Sequence, residues 1–99
     1  MISGENLLII AMEECAEIQQ EISKVLRFGV DNHHPDEPDI DNGERVLREY
    51  YQLQAVMTEL IARRVIMPIS GREKSRIVFA KREAIDKWEN YSKDLGIVN

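Results

Sequence analysis

The sequence lacks the features that disulfide-bonded, zinc-finger, membrane-spanning and secreted proteins require. It has one cysteine, which excludes an internal disulfide and a zinc-finger framework. Its longest apolar stretch, residues 7–12, is far shorter than the roughly 20 residues that cross a bilayer. No basic region precedes that stretch and no small-residue cleavage site follows it, so we expect no signal peptide. These absences predict a cytoplasmic protein without membrane association, and 99 residues predict a single domain over residues 1–99.

The net charge of −5 is unevenly distributed along the chain. Residues 1–45 contain 11 acidic and 3 basic side chains, whereas residues 46–99 contain 7 acidic and 10 basic ones. An acidic domain of this kind is not expected to bind nucleic acid stably. The asymmetry fits acidic metal ligands early in the chain and phosphate-binding cations late, and it equally fits two solvated faces of opposite charge.

Apolar residues recurring at three- and four-residue steps predict three helices, at residues 5–28, 43–66 and 70–96. Ser3, Asp41 and Ser70 are the expected N-terminal caps. Gly29 is expected to end the first helix and Pro68 to stop the second. Residues 30–42 contain two prolines and five acidic side chains and show no periodicity, so they predict a solvated loop.

The expected fold class is therefore all-α. The apolar stripes are Leu8, Ala11, Cys15, Ile18, Ile22, Val25 and Leu26; Val46, Tyr50, Leu53, Val56, Met57, Leu60 and Ile61; and Ile77, Ala84, Ile85, Trp88, Tyr91 and Leu95. Cys15 lies within its stripe and is expected to be a buried, inert thiol. The broad apolar faces of three such helices are hard to bury within a monomer. We therefore expect a helical bundle completed by homo-oligomerisation, as a dimer or a tetramer.

Acidic and amide side chains have matching positions on the first two helices. Glu14 and Glu17 are three residues apart and flank the first apolar stripe, and Glu49 and Gln52 flank the second in the same way. If the helices pack by these stripes, the four side chains converge. Converging carboxylates repel one another, and Mg²⁺ with its preference for oxygen ligands would relieve that repulsion. The alternative is an ordinary solvated acidic flank.

These residues also resemble a family. The segment Glu13–Glu17 matches the E-E-x-x-E motif of the all-α, MazG-like nucleoside triphosphate pyrophosphohydrolases. The surrounding residues 13–29, EECAEIQQEISKVLRFG, and residues 87–96, KWENYSKDLG, look like small phage-type members. The second family motif, E-x-x-D, aligns with REYYQLQAV and places Gln52 where the family has Asp.

The resemblance implies an enzyme that cleaves a nucleoside triphosphate to a monophosphate and pyrophosphate, in the host cytoplasm if it is phage-encoded. It implies that Glu14, Glu17 and Glu49 are catalytic carboxylates that hold Mg²⁺ or Mn²⁺, with Gln52 as a fourth ligand. An amide brings no charge and cannot serve as a general base. The alternatives are thus a weakened enzyme, a nucleotide-binding protein that does not cleave, or a helical interaction protein.

Three lysines are candidates for contact with substrate phosphates. Lys24 shares the flank of Glu17, although an ion pair with Glu21 is the simpler interpretation. Lys81 lies within the apolar arc of the third helix, where it either extends past the core or meets an anion, and Lys74 shares that face.

Aromatic side chains are the remaining substrate-binding candidates. Trp88 and Tyr91 are expected to stack on a base or, as is more common at this spacing, to pack in a core or interface. The adjacent His33 and His34 lack a third fixed ligand, so we expect no transition-metal site in the loop.

Overall fold

A computed structural model describes residues 2–99. It contains three helices, α1 (Ser3–Phe28), α2 (Asn42–Ala62) and α3 (Gly71–Asp94). No strand occurs in this part of the chain, apart from one isolated bridge between His33 and Asp41. The all-α prediction is confirmed. None of the helices in residues 2–99 is long and apolar enough to span a membrane.

Helices α1 and α2 form an antiparallel hairpin. At one end, the Asn42 side chain donates to the Gly29 carbonyl over 3.0 Å, which ties the start of α2 to the end of α1. At the other end, a Cβ on Gly4 would lie 3.0 Å from Val65 Cγ2, so the start of α1 closely approaches the segment after α2. Gly4 is buried there because only a residue without a side chain fits this approach without displacing the valine.

The N-termini of α2 and α3 are capped as the sequence predicts. Asp41 Oδ1 accepts from the Glu44 N–H over 2.8 Å, and Ser70 Oγ accepts from the Glu73 N–H over 3.1 Å. Ser3, in contrast, does not cap α1, because the helix begins at Ser3 itself and Ile2 takes the cap position. The Ile2 N–H donates instead to the Glu5 carboxylate over 3.3 Å.

Helix α2 ends four residues before the predicted boundary. Backbone hydrogen bonds that the sequence pattern does not predict end it there. Arg64 has a positive φ of 61°, and its N–H donates to the Ile61 carbonyl while the Val65 N–H donates to Leu60. This pair of bonds is the Schellman arrangement, which usually takes a glycine at the Arg64 position. Gly96 fills the equivalent position after α3, with a φ of 77°.

The chain divides into two compact units, Met1–Met67 and Pro68–Asn99. The first unit contains the α1–α2 hairpin, and the second contains α3. The expectation of a single domain over residues 1–99 stays a prediction.

Few apolar side chains are buried in the chain by itself. Among residues 2–99, the buried apolar ones are Ala11 and Leu60, and Leu60 is 0% exposed. Tyr50, Met57 and Ile61 of the predicted α2 stripe are each partly exposed. Cys15 is exposed, so the prediction of a buried thiol is wrong. The helical period placed Cys15 within a broad stripe, but only part of that stripe faces α2.

Candidate functional site

Three carboxylates meet on the α1–α2 hairpin. Glu14 and Glu17 lie three residues apart on α1, and Glu49 lies on α2. Each offers a carboxylate oxygen, and these oxygens all lie within 4.8 Å of one another. Helical spacing predicted this convergence, because residues three apart share one face of a helix. Three oxygen donors at this separation form a set that could hold a hard divalent cation.

The three carboxylates differ in their exposure. Glu17 is exposed, whereas Glu14 and Glu49 are partly buried. Glu14 Oε2 and Glu49 Oε2 are inaccessible to solvent and have no hydrogen-bond partner among the described residues. A buried, unpaired carboxylate oxygen costs free energy, because its hydration is lost and nothing replaces it. The packing of the hairpin therefore maintains an unfavourable arrangement at this position.

The pKa of Glu49 is raised from 4.5 to about 7. Burial is the largest cause, since it disfavours the charged form, and the neighbouring Glu17 and then Glu14 carboxyls add to it. In the metal-free chain, Glu49 is therefore close to half protonated at neutral pH. A cation at the cluster would act in the opposite direction and stabilise the ionised form.

Gln52 and Lys24 extend the site in the two directions along the hairpin. Gln52 lies one turn beyond Glu49 on α2 and is exposed. Lys24 Nζ forms an ion pair with Glu21 Oε1 at 3.2 Å, which is the simpler of the two interpretations offered by the sequence. The other oxygen of Glu21, Oε2, is inaccessible and unpaired among the described residues. This carboxylate oxygen belongs to a residue one turn from Glu17, so it adds negative charge to the same edge of the hairpin.

The remaining substrate-binding candidates all lie on α3, in the second unit. Lys74 and Lys81 are exposed. Trp88 and Tyr91 are exposed and pack edge to face on each other, with ring centroids 5.7 Å apart. Within its unit, this pair is a surface aromatic cluster and not a buried core.

Sequence reasoning missed a pocket at the loop end of the hairpin. Its volume is about 580 Å³, and Phe28, His33, His34 and Arg45 are among the residues that line it. The sequence predicted a solvated loop here because the prolines and acidic residues show no periodicity. The signal that could have revealed order is Asn42, whose amide is 4% exposed and bonds back to Gly29.

Comparisons with protein-family models, with curated proteins and with solved structures found no match to this chain. The candidate site is therefore interpreted from its own chemistry. That chemistry is a set of crowded carboxylates on two helices, followed along the hairpin by two cationic side chains, Lys24 and Arg45, and a pocket.

The raised pKa of Glu49 predicts a pH-dependent stability. The folded chain binds this proton more tightly than the unfolded chain, so the contribution is fully present below 4.5 and is lost as the pH rises through about 7. In urea titrations with EDTA across that range, we expect Glu49→Gln to flatten the pH dependence of the unfolding free energy. At pH values above the range, the variant should be more stable than the wild type.

Glu13→Gln is the matched control, because Glu13 precedes the cluster on α1 and is exposed. It should leave the pH dependence as it is in the wild type. Equal slopes in the wild type and Glu49→Gln would contradict the crowding of the three carboxylates.

Proposed function

We propose that this chain is a Mg²⁺-dependent nucleoside triphosphate pyrophosphohydrolase of the MazG-like type, which cleaves a nucleoside triphosphate to a monophosphate and pyrophosphate. The observation that supports this most directly is the convergence of Glu14, Glu17 and Glu49 from two helices to within 4.8 Å. The resemblance to the E-E-x-x-E motif identifies Glu14 and Glu17, and the alignment with E-x-x-D identifies Glu49. Mn²⁺ is a second metal that would suit these ligands.

The donor set fits Mg²⁺, because it consists of carboxylate oxygens and includes buried oxygens that lack partners. Glu14, Glu17 and Glu49 would hold the ion, with the amide oxygen of Gln52 as a further ligand. When bound, the ion would neutralise phosphate charge and lower the pKa of a water molecule. A carboxylate oxygen that does not bind the ion would accept a proton from the attacking water. The water oxygen would form a bond to phosphorus as the bridging bond between the α and β phosphates breaks, and pyrophosphate would leave.

The other substrate contacts in this proposal are cationic and aromatic. Lys24 is proposed as a phosphate contact, since it is one turn beyond Glu21 on the carboxylate face of α1. Phosphate contacts from Lys74 and Lys81, and base contacts from Trp88 and Tyr91, stay predictions from the sequence, because these four residues lie on α3 in the other unit.

Gln52 supports a second candidate function, in which the protein binds a nucleotide without cleaving it. An uncharged amide at this position contributes less to cation binding than the Asp that the family motif has. The carboxylate cluster would then serve a binding site and not a catalytic one. A helical interaction protein without a ligand site is the outcome if neither nucleotide nor Mg²⁺ binds.

We propose that the functional form is a homo-oligomer, either a dimer or a tetramer. The exposed apolar side chains of the α1–α2 hairpin support this, among them Leu8, Met12, Ile22, Leu47 and Tyr51. The molar mass in solution, measured by light scattering after size-exclusion chromatography, should be two or four times 11.5 kDa. A mass equal to one chain at all concentrations would contradict the proposal.

Glu14→Gln is expected to lower pyrophosphate release by at least about 100-fold, because it removes a charged ligand from the centre of the cluster. Release should be measured with a panel of nucleoside triphosphates and Mg²⁺, and the fold checked by circular dichroism. Glu13→Gln, one residue away and outside the cluster, should release pyrophosphate at the wild-type rate. Full activity in Glu14→Gln would show that the metal assignment is wrong.

Gln52→Asp separates the weakened enzyme from the binding protein. If the chain is a weakened enzyme, restoring the carboxylate should raise the rate of pyrophosphate release, since it adds a charged ligand. If the chain only binds, both forms should gain thermal stability from nucleotide with Mg²⁺, by mass action, and neither should release pyrophosphate. If nucleotide with Mg²⁺ raises the thermal stability of neither form, the chain is interpreted as a helical interaction protein.

A further inference from the structure

We propose that the pocket at the loop end of the hairpin binds the nucleoside end of a nucleotide whose phosphates point toward the carboxylate cluster. This inference rests on the proposed function and assigns a second part to the same site. The pocket has a volume of about 580 Å³, which lies in the range of small-molecule sites. The residues that carry the argument are Lys24, Phe28, His33, His34, Pro35 and Arg45.

The pocket lies in line with the carboxylates. Arg45 precedes Glu49 by four residues on α2, and Lys24 follows Glu17 by seven on α1, so each cation shares a helix face with a carboxylate of the cluster. The axial rise of a helix places Arg45 about 6 Å and Lys24 about 10 Å from those carboxylates. A ligand extending along the hairpin edge would therefore meet the carboxylates, then the cations, then the pocket.

Backbone bonds hold the pocket wall in place before any ligand arrives. The Asn42 N–H donates to the Asn32 carbonyl over 2.8 Å, and the Gly43 N–H donates to the Val30 carbonyl over 3.0 Å. A Cβ on Gly43 would lie 2.8 Å from Val30 Cγ2, so a larger residue there would displace the valine side chain. A wall formed in advance lowers the entropic cost of binding. The segment between α1 and α2 is therefore solvent-exposed, as the sequence predicts, and is also held in place by backbone hydrogen bonds.

The chemistry of the pocket suits a flat ring attached to an anion. The Phe28 ring, the two imidazoles and Pro35 offer flat or apolar surfaces on which a base can stack. The Lys24 ammonium and the Arg45 guanidinium supply positive charge on the side nearest the carboxylates. Each cation also contacts a carboxylate, with Lys24 Nζ 3.2 Å from Glu21 Oε1 and Arg45 Nη2 2.9 Å from Glu37 Oε2.

The first test measures binding without metal. In calorimetric titrations with EDTA, we expect at least one of the common deoxynucleoside monophosphates to bind, and inorganic phosphate to bind about tenfold more weakly. Phe28→Ala should weaken monophosphate binding about tenfold through lost stacking. Phe28 is 54% exposed, so the fold should tolerate this change.

Phe79→Ala is the matched control, because Phe79 is 64% exposed and lies on α3 in the other unit. It should bind the monophosphate as the wild type does. The proposal is overturned if no monophosphate binds, if inorganic phosphate binds equally well, or if Phe28→Ala has no effect.

The second test separates a phosphate contact from a loop anchor at Arg45. Arg45→Gln removes the guanidinium, whereas Glu37→Gln breaks the same ion pair and keeps the guanidinium. We expect Arg45→Gln to weaken monophosphate binding about tenfold, and Glu37→Gln to leave it unchanged. Equal losses in both variants would show that the ion pair only holds the loop, and the phosphate role of Arg45 would then be wrong.

Pyrophosphate release by the same proteins distinguishes this inference from the proposed function. If Phe28→Ala releases pyrophosphate at the wild-type rate with unchanged substrate affinity, the proposed nucleoside pocket is wrong and the proposed enzyme activity is retained. Absence of release combined with Phe28-dependent binding of a monophosphate would overturn the enzyme and support the pocket as a nucleotide site.

Discussion

The packing of α1 against α2 is the interaction on which the other features depend. Because the two helices are antiparallel and tied together at both ends of the hairpin, the polar residues beside each apolar stripe lie on one shared edge. Glu14 and Glu49 are partly buried there as a consequence. Neither helix alone would hold three carboxylates within 4.8 Å of one another.

This arrangement is unfavourable for the isolated chain, and in the proposed function a bound cation would relieve it. Glu49 keeps a proton to about neutral pH, since its ionised form would be poorly hydrated and close to two other carboxyls. Functional sites commonly store free energy in this way, because a bound cation or substrate can release it. The crowding is therefore an argument for a ligand site, whereas an equally acidic but solvated flank would carry no such argument.

The charges along the hairpin edge form an ordered series. On both helices the carboxylate cluster lies farther from the loop than Lys24 and Arg45, which pair with Glu21 and Glu37 and line the pocket. The Asn42 side-chain amide donates to the Gly29 carbonyl and so holds the start of α2 against the end of α1. A nucleotide has the same order of parts, with phosphates at one end and a flat ring at the other. The proposed enzyme and the proposed pocket thus use one continuous edge.

The sequence by itself determined the helical class, the caps at Asp41 and Ser70, and the shared helix face of Glu14 and Glu17, because these follow from local hydrogen bonds and the helical period. The approach of Glu49 to that face required the packing of α2 against α1. The early end of α2 at Ala62 depends on local backbone bonds around Arg64, whereas tertiary structure alone decided the exposure of Cys15 and the pocket. Each of these depends on contacts between distant residues or on backbone bonds without a residue signature. The helical period predicts which side chains share a face of a helix. How much of that face is buried depends on the helix that packs against it.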